Sequence, residues 1–248
     1  MLDRSLAWDG CVNVRDLGGF PTEDGAETRW GRIIRADSVR SLSEPGWKAL
    51  AEHGVRTVVD LRSYGELARD KPVEAPVEAV HISVMAEHDD PVWQEIDELA
   101  ERGERDGALE VEIFYRESLR RWGGRFAEAV AAVADAPPGG VVVHCAGGRD
   151  RTGLVAAFLL RLADVGVGDV AADYALSSGY LEPHWRAWVD EAGDEAERAR
   201  RLRRSETPAD AMRNVLAALE REHGSIAGFL SSHGLDHETI ARARARLR

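Results

Sequence analysis

The stretch His144-Cys145-Ala146-Gly147-Gly148-Arg149-Asp150-Arg151-Thr152-Gly153 joins two apolar runs, Val141-Val142-Val143 and Leu154-Val155-Ala156-Ala157-Phe158-Leu159-Leu160. That order predicts a strand, a tight polar loop and a helix. A cysteine opens the loop, Arg151 follows six residues later, and two glycines between them let the backbone curl with its N–H groups inward. These residue types suit one task, holding a phosphoryl group against a thiolate. Helix N-termini and nearby cations favour a thiolate, and Cys145 precedes the helix with Arg149 and Arg151 close in sequence. A thiolate can attack phosphorus and carry the phosphoryl group covalently. The loop from Ala146 through Gly147, Gly148 and Arg149, with the helix N-terminus at Thr152 and Gly153, would cradle the phosphate oxygens. Arg151 would clamp the phosphoryl group with two parallel hydrogen bonds. The Thr152 hydroxyl would donate to the sulfur and help it leave.

Other readings of the loop are weaker. A nucleotide-binding P-loop ends in Gly-Lys-Ser/Thr, and this loop has no lysine. A dinucleotide fingerprint spaces its glycines differently. A buried structural cysteine in a turn is the plain alternative.

Cys-x5-Arg-Thr-Gly after an apolar strand resembles the signature of the cysteine-dependent protein tyrosine phosphatases, and its HCxxGxDRTG form resembles their atypical bacterial branch. Asn13-Val14-Arg15-Asp16-Leu17-Gly18-Gly19 is similar to that branch's N-F-R-D-L-G-G, and Thr57-Val58-Val59-Asp60-Leu61-Arg62-Ser63-Tyr64-Gly65-Glu66 to its D-L-R-x-x-x-E. Gly224-Ser225-Ile226-Ala227-Gly228-Phe229-Leu230 resembles its last helices, so the likeness spans nearly the whole chain. The resemblance implies Cys145 as nucleophile, Arg151 as clamp, and Asp150, inside the loop, as general acid and base. Asp89 and Asp90, in His88-Asp89-Asp90-Pro91, form the competing candidate on a separate loop, and an aspartate that only orders the phosphate loop is the structural alternative for Asp150. One departure stands out: the family's usual lysine before Asp-Arg-Thr-Gly is Arg149 here, bulkier and planar. By analogy that lysine is linked to phosphoinositide recognition, so its replacement weakens the case for a lipid substrate.

Composition fits this reading. The chain has 248 residues, 44% hydrophobic and 31% charged, enough for one large α/β domain. A net charge of −12 argues against nucleic acid and anionic membrane surfaces as partners. Cys11 and Cys145 are the only cysteines, so there is no disulfide framework. Cys11 is expected as a small buried hydrophobe; an alternative is a protective disulfide with Cys145 if the two are close. No signal-peptide pattern or run of 18 apolar residues occurs, which makes the cytoplasm the default location, although leaderless export would leave no trace.

The elements that must position the loop alternate between strand and helix. Strands are expected at Ile33-Ile34, Val55 to Leu61, 78–84 and 141–144. Ser43 should cap a helix that Gly54 ends. Helices follow around 92–102, 109–121, 124–135, 152–164, 169–177 and 183–204, with Thr207-Pro208 opening another and Ser225 and Asp236 capping two more. This is a cysteine-phosphatase-like α/β fold, a mainly parallel sheet flanked by helices, in a single domain over 1–248. Residues 86–122 hold twelve acidic and five basic residues around a thin apolar pattern that includes Trp93 and Phe114. They read equally as a helical lid-like insertion over the site or as a solvated helix pair.

Arg15, Asp16, Asp60 and Arg62 are expected at turns or strand ends, either buttressing the loop, contacting substrate, or forming a structural ion-pair network. His144 should bond to backbone and orient the cysteine. His233 and His237 are four apart but straddle Gly234 and lack a third ligand, so no metal site is expected. The overall expectation is a phosphomonoester hydrolase needing no cofactor. Its leading substrate is phosphotyrosine on protein or peptide, with phosphoserine/threonine and phosphoinositides open and inorganic phosphate as product. A catalytically silent phosphate-binding module and a sulfurtransferase cycling the loop cysteine are the alternatives.

Overall fold

The computed structural model describes residues 3–70, 75–87, 89–101 and 107–248. Strand β1 (Arg15–Asp16) pairs antiparallel with β2 (Ile33–Ala36). The remaining pairings, among β2, β3 (Val55–Asp60), β4 (Glu78–His81) and β5 (Gly140–His144), are parallel, in the order β1-β2-β5-β3-β4. The helices are α1 (Glu44–Glu52), α2 (Tyr64–Leu67), α3 (Val92–Glu101), α4 (Gly107–Asp135), α5 (Asp150–Leu162), α6 (Val167–Asp190), α7 (Glu195–Ser205), α8 (Ala209–His223), α9 (Ile226–Ser232) and α10 (His237–Leu247).

Side chains alternate across a strand, and the sheet uses both faces. Ile33, Val59, Val141 and Val143 pack into the core shared with α4 and α5, while Ile34, Val58 and Val142 pack against Trp8 and against Trp47 and Leu50 of α1. Burial on both faces explains why β5 is a continuous valine run. Ala36, His144 and Asp60 are level in register, so the segments leaving β2, β5 and β3 emerge side by side at one edge. The carboxyl edge of parallel strands is where α/β proteins place their sites. Helix α5 starts there and is buried nearly all round, which accounts for its unbroken apolar sequence.

Several boundaries differ from expectation. The strand expected over 78–84 ends at His81. The helices expected at 109–121 and 124–135 are one element, α4, bent at Trp122 (φ −123°, ψ 20°), whose ring packs against Trp93 at 5.4 Å. The break expected between 177 and 183 is absent: α6 runs through Pro183, whose fixed φ is compatible with a helix although it has no N–H to donate. The chain stops instead at 191–194, where Asp194 caps α7 by accepting from the Glu197 amide (2.8 Å). Thr207 does not cap α8. Its hydroxyl accepts from Ser178 N (3.0 Å) and donates to Ala175 O (2.9 Å), tying the start of α8 to α6 and leaving Pro208 at the cap. Ser43, Ser225 and Asp236 cap α1, α9 and α10 as expected. Among the described residues no helix is long and apolar enough to cross a membrane.

Candidate active site

β5 delivers Cys145, 2% exposed, to the carboxyl edge of the sheet, and α5 begins at Asp150. The loop between them is held from outside by its carbonyls. Ala146 O accepts from Ser38 N (2.9 Å), Gly147 O from Asn13 Nδ2 (2.8 Å) and Gly148 O from Arg35 Nη2 (2.8 Å). In a planar trans peptide the N–H points opposite to its carbonyl. Three outward carbonyls therefore turn the amides of Gly147, Gly148 and Arg149 toward the loop interior, forming an anion-binding concavity. Gly148 has φ +66°, and a Cβ there would lie 2.4 Å from Ala36 O, so both conformation and close approach to β2 call for glycine. Gly153 lets Tyr174 approach α5 closely. Thr152 Oγ1 is buried and has no hydrogen-bond partner among the described residues, consistent with a hydroxyl kept for the loop interior.

Two of the donors that hold the loop, Asn13 and Arg35, are themselves fixed by a buried ion cluster. Asp173, on α6, bonds Arg15 Nε (3.0 Å) through Oδ1 and Arg35 Nη1 (2.6 Å) through Oδ2, with all three side chains 1% exposed. Arg15 also donates to Asn13 Oδ1, Asp173 O and Ser177 Oγ. Burial works against the Asp173 carboxylate, but the two guanidiniums outweigh it and hold its pKa down to about 2. Arg15 is thus a support beneath the loop.

Arg151 leaves the first turn of α5 and makes a two-point pair with Glu66, Nη2 to Oε1 at 2.9 Å. Glu66 is fixed in turn by a capping box at α2: Glu66 N donates to Ser63 Oγ (3.3 Å) and Ser63 N to Glu66 Oε2 (2.8 Å). Burial alone would raise the Glu66 carboxyl, yet Arg151 holds it below its ordinary value. The guanidinium plane of Arg151 is therefore set by a carboxylate from the opposite side of the site.

Asp150 accepts from the Tyr115 hydroxyl (2.7 Å, Oδ1), and Arg149 Nε lies 3.0 and 3.1 Å from its two oxygens. The Arg149 guanidinium also stacks 5.1 Å from the centre of the Trp185 ring. Beside these groups is a pocket of about 310 Å³. Glu66, Asp150 and Arg151 form its polar side, Met85, Trp93 and Phe114 its apolar wall, and Ser63 and Arg69 part of its rim. Trp93 and Phe114 are stacked at 5.8 Å, and Trp93 Nε1 is anchored on Glu87 O. Segment 86–122 therefore contributes the aromatic wall and Tyr115; His88 and residues 102–106 of it lie outside the described residues. Asp89 and Asp90 are exposed, and Asp90 Oδ1 accepts from Val92 N at the start of α3.

The remaining candidates brace the edge. Asp60 accepts from Arg62 Nε (3.0 Å, Oδ1) and Nη2 (2.7 Å, Oδ2), and Arg62 reaches on to Asp70. His144 is fully buried, its Nδ1 3.2 Å from Cys145 O and its Nε2 3.4 Å from Asp60 Oδ2. Burial pushes the imidazole down, against Asp60, which favours its charged form. Asp16 turns away from the site, accepting from Gly18 N and Gly31 N (both 2.8 Å) with His53 Nε2 at 3.1 Å. Both cysteines are free, and Cys11 Sγ donates to Ser38 O (3.3 Å). Burial and then Asp37 push the Cys11 thiol well above its ordinary value, so it stays neutral. His233 Nδ1 bonds Phe229 O (2.9 Å) and its ring packs on Phe229. No cluster of three or more metal-ligating side chains occurs among the described residues.

Sequence reasoning missed Asn13, Arg35, Glu66, Tyr115, Asp173 and Tyr174. Signals existed for some of them. Asn13 and Glu66 sit inside the motifs that carried the resemblance, and Arg35 is a charge inside an otherwise apolar strand.

A mostly parallel sheet presenting a cysteine-to-arginine loop of inward amides fits the class of protein tyrosine phosphatases. The sequence matches the tyrosine phosphatase family over residues 6–248, and the chain belongs to that family as a protein-tyrosine phosphatase enzyme. It is 27% identical over 232 residues to the tyrosine-protein phosphatase of Nostoc commune, covering 87% of this chain and 74% of that one. It is also 26% identical over 276 residues to the triple specificity protein phosphatase PtpB of Mycobacterium tuberculosis, covering 94% of this chain and 99% of that one.

Proposed function

We propose that this enzyme hydrolyses phosphotyrosine through a cysteinyl-phosphate intermediate, with Cys145, Arg151 and Asp150 as catalytic residues. The observation that carries the reading is the loop after Cys145, whose Ala146, Gly147 and Gly148 carbonyls are tied outward, with Arg151 aimed by Glu66. In the first step the Cys145 thiolate attacks phosphorus, the P–O bond to the leaving phenol breaks, and protonated Asp150 gives that oxygen its proton. In the second, water attacks phosphorus, ionised Asp150 takes its proton, the P–S bond breaks and the thiolate returns. Inorganic phosphate leaves. The inward amides and Arg151 hold the phosphoryl oxygens through both steps. Thr152 donates to the sulfur as it departs.

An aromatic wall of Trp93 and Phe114 beside an acid and an arginine suits the ring of phosphotyrosine. Phosphoserine, phosphothreonine and phosphoinositide head groups offer that wall less surface, so they rank below it as substrates. Within a single phosphatase domain, the described helices of segment 86–122, α3 and the first part of α4, act as its lid, excluding water from the leaving oxygen.

The test is hydrolysis of para-nitrophenyl phosphate in chelator across pH 4.5 to 8. Asp150→Asn is expected to lose about 10²–10⁴ in rate and one limb of the pH profile. Near-normal activity in that variant would move the acid to Asp89 or Asp90. Arg151→Lys keeps the charge but loses the two-point geometry, and a kcat loss of about 10²–10³ is expected. A rise in KM with kcat unchanged would instead make Arg151 a ground-state binder.

A further inference from the structure

Phe114 and Tyr115 are neighbours on α4 that point to different places. Phe114 lines the pocket wall, while Tyr115 is fully buried and its hydroxyl sits 2.7 Å from Asp150 Oδ1 and 2.7 Å from the Tyr174 hydroxyl. The two phenol rings meet edge to face at 5.9 Å. A phenol has one proton to donate, and an ionised carboxylate only accepts. The chain therefore has one direction while Asp150 is charged: Tyr174 donates to Tyr115, and Tyr115 donates to Asp150.

We propose that Tyr115, backed by Tyr174, is a positioning residue for the reaction: it occupies Oδ1 of Asp150 and so reserves Oδ2 for the proton that is transferred. This rests on the reading of Asp150 as the acid and base. With Asp150 protonated, Oδ1 still accepts from Tyr115, and the carboxyl keeps its orientation in both protonation states. Arg149 Nε cannot make this choice, lying 3.0 and 3.1 Å from the two oxygens. Tyr115 is not itself the proton donor. Burial, and then the charge of Asp150, push its phenol well above the ordinary value, so it stays protonated throughout. Phe114 lies on the same turn of α4, so one helical turn carries both the wall that would seat the substrate ring and the hydroxyl that orients the acid.

The experiment compares Tyr115→Phe, Tyr174→Phe, Asp150→Asn and the Tyr115→Phe/Asp150→Asn double variant on a phosphotyrosine peptide and on para-nitrophenyl phosphate. Tyr115→Phe keeps the ring and its packing. It is expected to lower kcat on the phosphotyrosine peptide by about tenfold, a part of the roughly 10²–10⁴-fold that a positioned acid supplies. The loss should be smaller on para-nitrophenyl phosphate, whose leaving group needs less protonation. Inhibition by inorganic phosphate should not change. Tyr174→Phe should act in the same direction and more weakly, and Tyr115→Phe should cost nothing further in the Asp150→Asn background. A wild-type leaving-group ratio in Tyr115→Phe, or an equal loss with and without Asp150, would overturn the proposal while leaving Asp150 as the acid. A wild-type rate in Asp150→Asn would overturn the acid assignment and, with it, this inference.

Discussion

Cys145→Ser is expected to abolish turnover, by about 10⁴-fold or more, as loss of a nucleophile does in enzymes that act through a covalent intermediate, while phosphate binding survives. The reason is a separation of tasks. Binding falls to the loop amides and Arg151, which do not need the sulfur; their geometry is set by Ser38, Asn13, Arg35 and Glu66 from outside. Bond-making falls to a thiolate, and a serine hydroxyl offers no comparable anion near neutral pH. Kinetics on para-nitrophenyl phosphate and titration with inorganic phosphate check both halves. Residual turnover near the wild-type rate would remove Cys145 from the chemistry. Loss of phosphate affinity together with activity would mean that the substitution had collapsed the loop.

Asp173→Asn should unfold the protein more readily by about 3–5 kcal/mol, the usual cost of breaking a buried ion pair from one side. The substitution leaves Arg15 and Arg35, both 1% exposed, without their shared carboxylate. Because the folded-state pKa of Asp173 is depressed from 3.8 to about 2, its stabilising contribution is complete above pH 4 and is lost as pH falls toward 2. Denaturant melts at pH 7 and along an acid series measure both effects. A variant as stable as wild type, with the same acid dependence, would show that the cluster is not needed to hold the fold. Reduced phosphatase activity is expected as well, since Arg35 also holds Gly148 O.

The phosphate loop was legible in the sequence because everything that defines it is contiguous. An apolar strand, a cysteine, two glycines, an arginine and an apolar helix fall within one short stretch. Strands β2, β3, β4 and β5 and their mainly parallel arrangement were legible for the same reason, since each announces itself locally; their order, with β5 between β2 and β3, is set by long-range packing and was not. What supports the loop is long-range. Asp173 lies 138 residues from Arg35, Glu66 85 residues from Arg151, and Tyr115 35 residues from Asp150. No local pattern marks these pairings, although Asn13 and Glu66 stood inside recognised motifs. The misplaced helix boundaries have a related cause. Ser177-Ser178-Gly179 and Pro183 look like a break, but buried Tyr174, Ser177 and Leu181 and the Ser178–Thr207 bonds carry α6 through it. Tertiary burial overrides local propensity there. Asp60 ends β3 with Arg62 just beyond it, and Arg15 lies in β1; their partners make all three supports rather than pocket residues.

The most direct measurement is to quench the enzyme during turnover of an aryl phosphate and locate the phosphoryl group by peptide mass spectrometry. The mechanism predicts a phosphoryl adduct on the peptide carrying Cys145 in wild-type protein and none on that peptide in Cys145→Ser. Asp150→Asn, slowed in the second step by loss of its base, should retain the adduct at least as well relative to its turnover. A phosphoryl group on a different residue, or rapid turnover with no covalent adduct at any quench time, would contradict the account.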